Sequence, residues 1–304
     1  FLIIKITYNI IKENPLFGVG FNNYKSQYNN YQKEYFSETR PLKEILLADN
    51  NKLANNEWLQ LVAEIGIIGF LVLLFFLSKI FKIYTKPQNH RNFTTSLLIK
   101  CRNHFFLAVI VLSLFSNPFR IPSLLNLISI LFLFFYIVIP HDKTIVYTNP
   151  FFSKNKLLFI LIALSTTFLV QEYYLCKWML HHNNTFNNKA KKFNYFNNFL
   201  KDNENYLYTT AYELYNSGNY YNSIRQLENL SEIINDTQSS ILLGFNYSKL
   251  KKHSIALKHF ENASLINPKL FRPKSLMMNE YLLNGDTIAA KKQAKIIVNF
   301  PVKI

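Results

Sequence analysis

Cysteine is nearly absent: Cys101 and Cys176 are the only two among 304 residues, with no Cys-x-x-Cys and no Cys/His cluster. That excludes a disulfide framework and a structural zinc site, and leaves each thiol the role of a small apolar side chain. The chain also lacks a P-loop and a dinucleotide fingerprint, and no His/acid arrangement holds a metal, so no cofactor is expected. Acids are scarce, 18 against 34 Lys and Arg, for a net charge of +16. Such a surplus can mark a nucleic-acid partner. A membrane protein explains it more simply, because Lys and Arg collect in cytoplasmic loops, and no nucleic acid is expected. No initiator Met precedes Phe1, so the chain reads as the C-terminal part of a longer protein and the lack of a signal peptide carries no information.

What is present is apolar. Hydrophobic residues make up 49% and aromatics 16%, yet the mean hydropathy is only +0.02. That combination fits a membrane half joined to a polar half. Four apolar stretches, at about 59–83, 98–119, 122–140 and 157–177, approach the roughly 20 residues a spanning helix needs. Lys79, Lys82, Lys86, Arg91, Lys100 and Arg102 flank the first connection with no acid among them, which puts it on the cytoplasmic side. Alternation then places the outer loop 18–57, the short "NPFRIP" turn and everything beyond Trp178 outside. Trp58 and Trp178 fall at the outer boundaries, where an aromatic belt lies.

The opening run is amphipathic and is halted by Pro15 and the Gly18-x-Gly20 pair. In the outer loop, Tyr24, Tyr28, Tyr31 and Tyr35 recur at helical spacing, so an ordered helix is expected there. After a linker at 181–204 rich in Asn and Lys, residues 205–304 carry a repeat. Ser223, Ala256 and Ala290 are separated by 33 and 34 residues. Ala211, Gly244 and Met278 sit twelve residues before them, and Leu227, Phe260 and Ala294 four residues after. Small residues let two helices approach, bulky ones fill the groove, and Pro268 and Pro301 close units.

The unit "LLGFNYSKLKKHSIALKHFENASLINP" resembles a tetratricopeptide repeat. The resemblance implies a solenoid of about three repeats with a protein or peptide partner. The fold class expected is therefore all-α: a multi-pass transmembrane helical domain over residues 1–180, followed by a helical-repeat (TPR-like) solenoid. "NPLFGVGFNNY", followed after a polar loop by "NNEWLQLVAEIGIIGFLVLLFF", resembles the C-terminal half of the O-antigen ligase and polymerase family. "NPFRIPSLLNLISILF" is similar to members that carry such repeats. The resemblance covers roughly residues 1–140. It implies an enzyme of the bacterial inner membrane, with its C-terminal domain periplasmic. The enzyme would transfer a glycan from an undecaprenyl-diphosphate-linked donor to lipid A core, a growing polysaccharide or a protein.

The site residues follow from that pattern. Where the family often has His, this chain has Asn55, with Asn56, Glu57, Leu59, Glu64 and Gly66 in register. An asparagine amide cannot take a proton from an acceptor hydroxyl as imidazole can. Asn55 then orients the acceptor while another group such as Glu57 accepts the proton, or leaving-group stabilisation dominates, or the protein is inactive. Negative charge developing on the leaving phosphates calls for cations on the outer side. Arg40, Lys43 and Arg120 are the candidates there, and Arg120 serves equally well as an interfacial anchor. Asn55, Asn56, Glu57, Arg40 and Arg120 form the candidate catalytic set, and Lys43, Glu64, Gly18, Gly20 and Tyr24 the substrate-binding set.

The same stretch has a structural explanation. Asn55 or Asn56 makes a good N-cap and Glu57 suits the positive end of a helix. Asn56, Gln60 and Glu64 line one stripe. Capping does not account for Glu64 at the membrane threshold, which points to a polar cavity opening outward. The alternative to an enzyme is an inactive membrane scaffold whose repeats recruit glycan-assembly partners.

Overall fold

Leu2, Ile6 and Ile10 recur every four positions, and they fold Leu2–Glu13 into an amphipathic helix, α1, whose apolar side is buried. Thr7 sits on that side and donates from its hydroxyl to the carbonyl of Ile3, as a buried hydroxyl in a helix must. The computed structural model describes residues 1–85, 93–138, 170, 173–178 and 200–300. Among these, helix predominates and no strand occurs. Most of the fourth predicted span, the loop cations Lys86 and Arg91 and most of the linker lie outside the described residues.

The chain divides into two compact units, one of Phe1–Leu53, Val62–Ile67 and Lys201–Ile304, the other of Ala54–Leu61 and Ile68–Leu200. Composition draws a boundary at 181–204, whereas packing groups the outer loop with the repeat region.

In the first unit, the tyrosine spacing produces α2, Tyr24–Tyr35. Its phenols are anchors: Tyr31 donates to Glu13 Oε2 at 2.8 Å, Tyr35 donates to Glu44, and the Tyr24 hydroxyl lies 2.6 Å from Thr7 Oγ1. Glu44 belongs to a short helix, α3, Leu42–Leu47. The loop that composition leaves polar is thus held by its aromatic side chains.

The period of 33 and 34 residues folds into three helix pairs. These are α7, Glu204–Asn216, with α8, Tyr220–Ile233; α9, Thr237–Lys249, with α10, His253–Ile266; and α11, Phe271–Leu283, with α12, Thr287–Val298. Ala211, Ser223, Ala256 and Phe260 are all essentially inaccessible, as the spacing predicts, and so is Ala263. A Cβ on Gly244 would lie 2.4 Å from Phe260 Cε1, so the Phe260 ring occupies the space a larger residue would need. The turns inside the pairs repeat as well: Gly218, Lys251 and Gly285 all have positive φ, at 79°, 57° and 79°. Met278, Ala294 and Ile297 of the third pair are only partly covered.

Helix α2 packs on α8 and α10, the second helices of the first two pairs. Gln32 donates to the carbonyls of Asp49 and Ile266, while the Asn50 side chain accepts from the N–H and hydroxyl of Thr237. Glu204 receives both Lys25 and Lys52, and Asp49 receives Lys269 at 3.0 Å. Burial pushes the Glu204 carboxyl up, but the two ammonium groups outweigh it and hold it below its ordinary value.

His259, stacked on Tyr247 with centroids 5.3 Å apart, is shifted the other way. Burial depresses its pKa, and the charge of Lys33 on α2 adds to the effect. A histidine with a folded pKa below 6.5 is protonated first in the unfolded chain, so its contribution is complete above that value and declines as pH falls below it. The full-length protein in detergent should therefore melt at a lower temperature at pH 5.5 than at pH 7.5, and His259→Gln should shrink the difference. An equal difference in both proteins would remove His259 as its source.

In the second unit the apolar runs form α4, Glu57–Thr85, α5, Phe93–Phe115, and α6, Pro122–Val138, with the "NPFRIP" turn as a 3₁₀ segment at Pro118–Arg120. Two stretches are long and apolar enough to cross a membrane, Glu57–Ser78 and Ser96–Phe115, and most of their side chains are uncovered by protein. Helix α6 has 17 residues. Four spans are expected from sequence, and two meet the criterion among the described residues.

Candidate functional site

Two polar constructions occupy the stretch that the sequence singles out, one in each unit. The first lies in Ala54–Leu61 and the α5–α6 turn. Asn56 is the N-cap of α4: its Oδ1 accepts the N–H of Leu59 at 2.9 Å, and its Nδ2 donates to the carbonyl of Leu114 at 2.9 Å. One amide thus serves an orphan donor at the start of α4 and an orphan acceptor at the end of α5. One turn on, Gln60 Oε1 accepts from the Ala54 N–H and from Asn117 Nδ2, both at 3.0 Å. Trp58 donates its indole N–H to Ser113 Oγ at 2.8 Å and meets Phe70 edge-on.

Glu57 and Arg120 complete this cluster. Arg120 Nε lies 3.1 Å from Glu57 Oε1, with side-chain exposures of 14% and 4%. A carboxylate this enclosed requires a cation, and the fork of Arg120 supplies it. The 3₁₀ turn aims Arg120, and Asn117, its N-cap, holds that turn against Gln60. Asn55 lies just outside the helix. It is exposed and has φ 55°, a left-handed conformation that Asn and His adopt more readily than most residues.

The second construction joins the Gly18-x-Gly20 loop to α4. At Gly66 the helix breaks, with φ 68° and ψ 179°. Uninterrupted, it would pair the N–H groups of Ile67 and Ile68 with the carbonyls of Ala63 and Glu64. Instead Val19 N–H donates to Ala63 O at 3.0 Å, Gly20 N–H donates to Glu64 O at 2.9 Å, and Ile67 N–H donates to Pro15 O at 2.9 Å. The loop supplies the hydrogen bonds that the kink removes. The contact is backbone against backbone: a Cβ on Gly66 would lie 2.2 Å from Leu16 O, and one on Gly18 would lie 2.4 Å from the carbonyl of Glu64.

Glu64 is fully buried at this junction, and its Oε2 accepts the backbone N–H of Asn22 at 3.0 Å. Tyr24 is equally buried, and burial drives its phenol pKa far up, so it remains a neutral hydrogen-bonding group. The stripe of Asn56, Gln60 and Glu64 therefore exists, but protein groups meet it where a cavity open to solvent is expected.

Of the candidate residues, Asn56, Glu57 and Arg120 come together, with Asn55 beside them in the chain. Gly18, Gly20, Tyr24 and Glu64 form the loop–kink junction. Arg40 stands apart from the junction: it donates to Glu38 and to the carbonyl of Tyr35, and its guanidinium covers the Tyr35 ring at 4.0 Å. Lys43 is exposed on α3. Sequence inspection passes over Asn117, Ser113, Asn22 and Thr7. Thr7 was legible as the polar residue on the apolar side of α1, and Asn117 as a polar residue directly before a proline. No metal-holding group of His, Cys, Asp and Glu occurs among the described residues. No protein-family pattern, characterised protein or solved structure matches the chain.

Proposed function

We propose that the chain is part of an integral membrane glycan transferase of the O-antigen ligase and polymerase type, carrying a tetratricopeptide-like solenoid on the outer side of the bacterial inner membrane. One observation carries this most strongly. The two sequence patterns that suggest the family, P-L-x-G-x-G and E-x-G, lie more than 40 residues apart yet are halves of a single hydrogen-bonded junction. The solenoid is supported by three helix pairs at one period, with left-handed turn residues in register.

In the reaction, an acceptor hydroxyl oxygen attacks the anomeric carbon of the lipid-linked glycan, the bond to the diphosphate breaks, and undecaprenyl diphosphate leaves. Arg120 is the cation described in the second unit's polar cluster and is the group to meet the departing phosphates, with Glu57 orienting it. Asn55 orients the acceptor. The conformation at Asn55 admits histidine, so Asn55→His supplies a base without disturbing the turn. In an assay of undecaprenyl diphosphate release by the full-length protein, Asn55→His should raise the rate, by up to about 100-fold if proton removal limits it. Arg120→Gln should lower it by about 100-fold. No release by wild type or Asn55→His, with authentic donor and acceptor, would reject the enzyme.

A second function, a non-catalytic scaffold, is favoured by the engagement of Arg120 with Glu57 inside the fold. It predicts that substitutions at Asn55 leave surface glycans unchanged while disruption of the helix pairs removes them.

A further inference from the structure

The third helix pair departs from the first two on its solvent side. In register with Ile288, Ile296 and Val298, the first pair has Tyr221, Asn229 and Ser231, and the second Ser254, Asn262 and Ser264. Where the third has Lys295, the others have Glu228 and Glu261. Ile288 and Val298 are 83% and 82% exposed. Lys291, Lys292 and Lys295 stand exposed between them, and no acid occurs in α12.

Helix α3 extends this face. Leu42 and Ile45 join Ile296 and Phe300 along a cleft of about 470 Å³, with Lys292 and Lys295 beside it. The one acid of α3, Glu44, is engaged by Lys5 and Tyr35. Aliphatic side chains standing out from a field of lysines match an interface whose surface is anionic and whose interior is apolar. An acidic protein would satisfy the lysines, but it gives no reason for three separate aliphatic side chains to replace polar ones around them.

We propose that the face formed by α3 and α12 docks on a bilayer surface containing anionic phospholipid. The lysines meet headgroup phosphates, and Ile288, Ile296 and Val298 enter the headgroup–acyl boundary. The proposal rests on the membrane assignment above only in bringing this face within reach of a bilayer.

The test uses the full-length protein with Cys101→Ser and Cys176→Ser, reconstituted in lipid nanodiscs. A fluorophore is attached at Ile288→Cys, or at Ser254→Cys as the matched position of the second pair, and lipid-borne nitroxide near the headgroup quenches it. In discs containing phosphatidylglycerol, quenching at position 288 should exceed that at 254 by about threefold, and K291Q/K292Q/K295Q should abolish the excess. The excess should also vanish in purely zwitterionic discs. Equal quenching at both positions, or an excess that survives the lysine substitutions, would overturn the proposal. So would a concentration-dependent cross-link at 288 without quenching, which identifies a second copy as the occupant. Release of the protein from native membranes by alkaline carbonate would contradict the membrane-spanning assignment alone. Flotation of the released protein with phosphatidylglycerol vesicles, lost in the triple variant, would then still support docking, and its absence would overturn it.

Discussion

Gly66→Ala is expected to destabilise the protein by about 3 kcal/mol or more. Two independent costs combine. At φ 68° and ψ 179° the backbone lies in a region that essentially only glycine occupies, which costs about 1–3 kcal/mol for any other residue. The new Cβ would also lie 2.2 Å from Leu16 O, and a backbone carbonyl cannot rotate away as a side chain can. Relief requires the loop to withdraw, and withdrawal strands the carbonyls of Ala63 and Glu64 and the N–H of Ile67, each at a cost of about 1–3 kcal/mol. Thermal melting of the full-length protein in detergent measures the loss, and limited proteolysis within residues 15–23 locates it. Wild-type melting and wild-type protection in Gly66→Ala would mean that the junction does not hold the loop.

The second large effect concerns Arg120. Arg120→Ala leaves the Glu57 carboxylate in a nearly closed environment without its guanidinium partner, which in other proteins costs about 3–5 kcal/mol. Removing both charges together is far milder, because the pair's attraction largely offsets the cost of taking two ions out of water. Glu57→Gln with Arg120→Met should therefore recover most of the stability lost in Arg120→Ala. A double variant that melts no higher than Arg120→Ala would place the role of Arg120 outside this pair. The same double variant separates structure from chemistry. If Arg120 meets the leaving phosphates, it will be folded and inactive, and undecaprenyl diphosphate release will stay low while melting is restored.

Much of the fold was legible because it is periodic. The repeat positions Ala211, Ser223, Ala256 and Phe260 were visible as fixed spacings, and all four are buried. The tyrosine helix was visible for the same reason. What the sequence concealed was long-range. Nothing in residues 15–20 states that their N–H groups complete a helix 40 residues later, because backbone groups carry no sequence signature. Glu64 was visible as an oddity, a carboxylate without a capping role. One of its partners is the backbone N–H of Asn22, 42 residues earlier, which leaves no mark in the sequence. The association of α2 with the repeats was hidden by composition. A polar loop and a polar repeat region look like separate surfaces until Gln32, Asn50 and Lys52 are seen engaging Ile266, Thr237 and Glu204. The number of membrane spans was the weakest expectation, because apolar length alone decides it.

The most direct test of the proposed function is genetic. The chromosomal gene is deleted, restored as full-length wild type or as Arg120→Lys, Asn55→Ala or the Glu57→Gln, Arg120→Met pair at equal expression, and surface glycans are resolved by length on a gel. A lipid-linked glycan transferase requires that deletion removes long glycans, that wild type restores them, and that the folded charge-free pair does not. Loss of the ladder with single units retained would identify a polymerase, and loss of every length from the acceptor a ligase. Restoration of the wild-type pattern by all variants would contradict the assignment of chemistry to this site.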